Sequence, residues 1–173
     1  MYGIDIFENI NMSIDWYMVY WGIKNEILGV NIAQDYVCRK MEQDETLLDE
    51  EIELSWKSED TASVLDIIEK MPKFLDAIEE NMEKAKEKVR IAIIMFLRQT
   101  EKDVSKLCEQ IDMVYANFNY PEDMEKFITY MPMDAEYIST DHSIEENRCY
   151  LLSQLDNYIS KQVEKYKLQY VQF

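Results

Sequence analysis

Apolar residues recur at intervals of three and four along almost the whole chain, the spacing that lays a single stripe along an α-helix. Trp16, Val19, Tyr20 and Ile23 make the first such stripe, with Ser13 ahead of them as a candidate N-cap. Gly22 and Gly29 bracket a turn, after which Asn31 and Gln34 form a capping-box pattern that opens a helix with Ala33, Val37 and Met41 on its apolar side. Ser58 or Thr61 starts another, with Val64, Leu65, Ile68 and Met71 facing inward until Pro72 interrupts the pattern. Pro72 suits a new N-terminus, and Phe74, Ile78, Met82, Ala85, Val89 and Phe96 continue from it as the longest element and the expected centre of the core. Thr100 and Asp103 offer a capping-box-like start for Val104, Leu107, Ile111, Val114 and Phe118. Pro121, followed by Glu122 and Asp123, begins a short helix that Pro132 closes, and Ser143 with Glu146 opens a final long helix through Leu152, Leu155, Ile159, Val163 and Tyr166. Residues 2–6 can be read as extended. The pattern predicts an all-α fold, a single domain spanning 1–173, built as an antiparallel helical bundle or an irregular array of six to eight helices.

Composition narrows the chemistry. The 173 residues contain three glycines, none after Gly29, so phosphate-cradling loops, dinucleotide fingerprints and EF-hand loops, all of which need glycine, have no place in most of the chain. The longest apolar run, 91–97, falls far short of the roughly 20 residues of a membrane span, and the N-terminus has no basic region that would mark a signal or transit peptide. Cys38, Cys108 and Cys149 are odd in number and widely spaced, which points to reduced thiols, and hence to the cytoplasm, rather than to a disulfide framework. These cysteines, together with the single histidine, His142, lack the paired spacing of a zinc site; the cysteines are expected to be buried helix residues and His142 an exposed loop residue, with no metal. No nucleophile motif accompanies His142, and no carboxylate pair stands out among thirty-five acids, so neither a catalytic residue nor a cofactor is assigned and a non-enzyme is expected.

Charge layout is the stronger signal. Of a net charge of −17, segment 42–60 carries −8 and segment 121–146 carries −7, while the remaining residues nearly balance. A field concentrated in this way repels nucleic acid and attracts a basic protein, whose approach it would steer with steep salt dependence. The candidate partner-binding residues are Asp44, Glu45, Asp49, Glu50, Glu51 and Glu53 in the first segment, with Trp56 as an aromatic anchor, and Glu122, Asp123, Asp134 and Glu136 in the second, with Tyr137 as its anchor. Trp56 and Tyr137 can equally be core residues, and the acids can equally be a solvated face.

The segment IDMVYANFNYPEDMEKFITYMP, residues 111–132, with the following DHSIEEN, resembles the signature of a bacterial family known as domain of unknown function 2247. The Trp21–Gly22 pair in an aromatic-rich first helix leading into a capped second one is similar to that family's start, and the middle, roughly 42–100, matches in pattern only. The resemblance implies no established activity. Small acidic helical proteins of this sort resemble the immunity proteins that neutralise bacterial toxins by occluding them, so the expected partner is a basic toxin domain. Two other readings compete with that one. An adaptor docking through an apolar groove would be insensitive to salt, and a carboxylate-dependent enzyme would show two acids with strongly shifted pKa values in a concave site.

Overall fold

The computed structural model describes residues 1–56 and 60–169. The candidate helix start at Ser58 lies outside the described residues. The fold is all-α and irregular, with eight α-helices among the described residues, α1 (Asp5–Glu8), α2 (Trp16–Lys24), α3 (Ile32–Glu42), α4 (Asp49–Leu54), α5 (Thr61–Glu69), α6 (Ile78–Thr100), α7 (Val104–Asn117) and α8 (Ile144–Tyr166), and three short 3-10 segments. No strand occurs among the described residues. Residues 2–6 contribute one isolated bridge, Tyr2 to Leu28, before the chain turns into α1. The chain divides into two compact units, Met1–Val89 and Arg90–Phe173, the boundary falling inside α6.

Helix starts are where the structure departs most from the sequence pattern. Asp15, not Ser13, caps α2 by accepting the Met18 amide. Asn31 is already helical in backbone and makes no side-chain cap, while Gln34 donates to the Ser55 carbonyl instead. Asp60 caps α5, immediately before Thr61. Asp103 caps α7 by itself, accepting from Ser105 and Lys106, because Thr100 is still the last residue of α6. Short acidic side chains thus win over the more distant box patterns, since a carboxylate reaches the second and third amides without a partner. Of the three box patterns in the sequence, Ser143–Glu146 forms with both arms. Pro72 does not open α6: Lys73 adopts a left-handed φ of 62°, a short 3-10 turn follows, and the helix begins at Ile78.

In the first unit α2 packs on α5, α5 on α4 and α4 on α3. Ile6, Phe7, Met18, Val19, Leu28, Ile32, Val37, Val64 and Ile68 are buried between them. Phe74 fixes the turn after α5, stacking on Tyr17 and meeting Tyr20 edge-on. In the second unit α8 packs on α7 and on the 3-10 segment Glu122–Phe127. Arg98 of α6 holds Asp156 of α8 through two hydrogen bonds, 2.8 and 3.1 Å. Residues 89–95 of α6 are buried on every face, as the apolar run there requires. On α8 the buried set is Leu151, Leu155, Tyr158, Ile159 and Gln162, displaced by one position from the expected Leu152 and Val163, which are half-buried.

With so few glycines, other residues take the left-handed positions that close helices. Asp44 (φ 55°) follows the end of α3, with its own amide donating to Met41 and that of Glu45 to Lys40; Asn119 (φ 64°) follows α7, with its amide donating to Ala116 and that of Tyr120 to Tyr115. Both are Schellman closures with an Asx residue where glycine is usual.

Candidate functional site

The first acidic segment divides into an inward and an outward side. Leu47, Leu48, Ile52 and Leu54 alternate with carboxylates, and α4 forms from Asp49 onward because three acids in its first turn face the positive end of the helix. Glu51, at the third helical position, reaches back to the Leu48 amide at 2.9 Å. The same carboxylate accepts from the Trp16 indole at 2.7 Å and from the Lys40 ammonium at 2.5 Å. It is 1% exposed. Burial pushes this carboxyl up, but the hydrogen bonds from Lys40, Leu48 and Trp16 outweigh it and hold the pKa below its ordinary value. Glu51 is therefore a structural tie between α2, α3 and α4, which corrects its expected place on a docking surface. Tyr36 lies beside this network under the Lys40 ammonium, and burial, followed by Asp15, Glu45 and Glu51, pushes its phenol up to about 12.

The outward side holds the other carboxylates between 44 and 53. Asp49 and Glu53 are exposed, Glu50 is half-buried, Glu45 pairs with Lys40 at 3.7 Å and Asp44 forms the closure of α3. Leu48, Ile52 and Trp56, four residues apart along the edge of α4, are 41%, 48% and 77% exposed. Ile52 lies on α4, Leu48 is the extended residue ahead of it and Trp56 follows its C-cap, so the hydrophobic ridge is a run of three exposed side chains interspersed with Asp49 and Glu53. Trp56 is not a core residue. Sequence reasoning named Trp56 but missed Leu48 and Ile52, although their spacing of four in an acidic helix was the available signal.

The second acidic segment lies in the other unit and is organised differently. Asp123 receives the buried Arg90 guanidinium at 2.6 Å. Asp134 accepts from the Tyr150 hydroxyl at 3.0 Å and pairs with Lys126 at 3.3 Å; the Tyr150 hydrogen bond, then Lys126, holds its carboxyl below the usual range. Tyr137 is half-buried, sandwiched between the rings of Tyr150 (3.9 Å) and His142 (4.5 Å). Glu122 and Glu136 are exposed. The segment's anchor and two of its acids thus serve their own unit's packing.

Among the described residues no group of three His, Cys, Asp or Glu side chains is arranged to hold a metal, and no helix is long and apolar enough to cross a membrane. Cys108 is buried, whereas Cys38 and Cys149 are exposed, which corrects the expectation that all three lie in the interior.

The architecture is that of an all-α protein whose acidic segments are built into its surface rather than appended to it. The chain belongs to the family of uncharacterized proteins conserved in bacteria, DUF2247, whose family model matches residues 4–163. Neither the curated proteins nor the solved structures include a match.

Proposed function

We propose that this chain is a cytoplasmic binding protein without catalysis, of the immunity type, that occludes a basic toxin domain through the outward side of α4. The observation that supports this reading is the ridge of Leu48, Ile52 and Trp56 between Asp49 and Glu53. Large apolar side chains exposed together within a strongly acidic segment match the anatomy of a docking site, a few desolvated anchors within a charged rim. A solvated face needs the acids but not the ridge. Carboxylates around the ridge steer a cationic partner, and burial of the indole then slows its release.

The burial of Glu51 shapes the test. Reversing it would break the tie to Trp16 and Lys40, so the charge reversal is confined to Asp49→Lys and Glu53→Lys, with Trp56→Ala as a separate variant. The partner to use is the purified product of the gene encoded beside this one, titrated calorimetrically into the full chain at low and high salt. The expected result is a salt-sensitive complex that weakens by about 2 kcal/mol or more with Trp56→Ala, and loses its salt sensitivity with the double reversal. Unchanged affinity in both variants overturns the proposal, and a salt-insensitive complex favours an adaptor that docks by apolar contact alone.

A further inference from the structure

A second group of exposed rings lies in the other unit, where α7 closes and the 3-10 segment begins. Tyr115 is buried, and its ring meets that of Tyr120 edge-on, centroids 5.3 Å apart at 81°, and that of Tyr130 at 6.2 Å and 55°. Tyr120 and Tyr130 are 57% and 59% exposed, and Met113 is exposed on the same helix as Tyr115. The chain holds this arrangement against its own preference. Asn119 and Tyr120 are consecutive residues with left-handed φ, 64° and 55°, and a bulky side chain seldom tolerates that conformation. An unfavourable backbone maintained by its surroundings is a mark of functional sites. Thr129 braces the far end, its amide donating to Asp112 at 3.0 Å, which fixes Tyr130 next to it.

The surroundings are anionic. Asp112 accepts from the Thr129 amide, next to Tyr130, and Glu125 lies in the 3-10 segment that follows Tyr120; in keeping with this, the Tyr115 phenol is pushed up by burial and then by Glu125, and that of Tyr130 by burial and then by Asp112. Elsewhere the chain covers its tyrosine faces with its own lysines, Lys24 over Tyr20 and Lys40 over Tyr36. Over Tyr115, Tyr120 and Tyr130 no lysine or arginine of the described residues is placed.

We propose that the Tyr115–Tyr120–Tyr130 cluster is a receptor for an arginine side chain presented by a basic protein, the guanidinium lying against the exposed rings with Asp112 and Glu125 as the countercharge. Aromatic faces attract a cation through their quadrupole, and a planar guanidinium stacks on them more readily than a hydrated ammonium. This site is separate from the α4 ridge and stands or falls without it.

The test uses the full chain with ring-labelled tyrosine, observed by NMR during titration with N-acetyl-arginine amide and with its neutral isostere N-acetyl-citrulline amide. Saturable shifts of the Tyr120 and Tyr130 signals with arginine, and at least about tenfold weaker binding of citrulline, are expected for a cation held over two rings. Tyr120→Leu with Tyr130→Leu keeps the net charge and should weaken arginine binding by about tenfold, whereas the two Phe substitutions, which keep the ring faces, should stay within about twofold. Asp49→Lys with Glu53→Lys should leave the shifts unchanged, which separates this site from the ridge. Equal binding of citrulline, equal loss in the Phe and Leu variants, or shifts confined to other tyrosines overturns the proposal. The citrulline comparison and the Phe variants keep it falsifiable if the Leu variant does not fold.

Discussion

Two segments of similar charge, 42–60 and 121–146, meet the same requirement by opposite means. In the first, one carboxylate, Glu51, is buried to join three helices, while Asp49, Glu53, Leu48, Ile52 and Trp56 are left exposed. In the second, the acids on each side of the loop are drawn into contact with Arg90, Tyr150 and Lys126, and the aromatic residue is packed between two other rings. Acidic composition alone therefore does not identify a docking surface. What distinguishes the first segment is that Leu48, Ile52 and Trp56 stay exposed although Leu54 beside them is buried.

The contrast can be broken at its strongest point by Glu51→Ala, which strands the Trp16 indole and the Lys40 ammonium. Urea unfolding should show a loss of about 3 kcal/mol, whereas Asp49→Ala, two residues away, should stay within about 0.5 kcal/mol. Acid titration examines the same residue. The folded pKa of Glu51 lies below its ordinary value of 4.5, so its contribution to stability is complete above that pH and is lost as pH falls through the lower folded value. Glu51→Gln should flatten that part of the profile. In the second segment, Asp123→Ala leaves the buried Arg90 without its carboxylate and should cost about 2 kcal/mol, discounted because Asp123 itself is partly exposed; Glu122→Ala should be silent.

The anchors give a smaller difference. Tyr137→Ala removes two ring contacts and should lower stability by about 1–2 kcal/mol. Trp56→Ala should change folding by less than about 0.5 kcal/mol, reserving its effect for binding. Equal destabilisation by the two would erase the distinction between an inward and an outward segment. One expected effect has the opposite sign: Asp44→Gly places glycine at a φ of 55° and should stabilise by up to about 1 kcal/mol, read as a higher melting temperature.

The all-α fold and most helix identities were legible because intervals of three and four report which side of a helix is apolar, and that follows from local geometry. Helix starts were less legible, since Asp15, Asp60 and Asp103 compete with Ser13, Thr61 and Thr100 over one to three residues and the winner depends on where the preceding chain arrives. The start of α6 was hidden by Lys73, whose left-handed backbone no sequence rule anticipates. For the site, the acidic segments were visible as charge. The division into Glu51 inside and Asp49 and Glu53 outside was not, because it depends on Trp16 and Lys40, 35 and 11 residues away in sequence. The tyrosine cluster was present in the signature 111–132 only as a string of aromatics; the left-handed pair at Asn119 and Tyr120 turns it into a surface.

Gly22 lies in the last turn of α2, where helix propensity alone would favour alanine by up to about 1 kcal/mol. A Cβ there would sit 2.2 Å from Leu28 Cδ1 and 2.3 Å from its Cγ, so the chain uses this glycine for proximity and not for turning. Mutational tolerance is thereby inverted relative to most proteins. The turns, at Asp44, Lys73 and Asn119, are positions where glycine can be gained, and the helix is where it cannot be lost. A saturation library scored for folding should show this as glycine enrichment at left-handed positions such as these three and depletion of every residue larger than glycine at position 22.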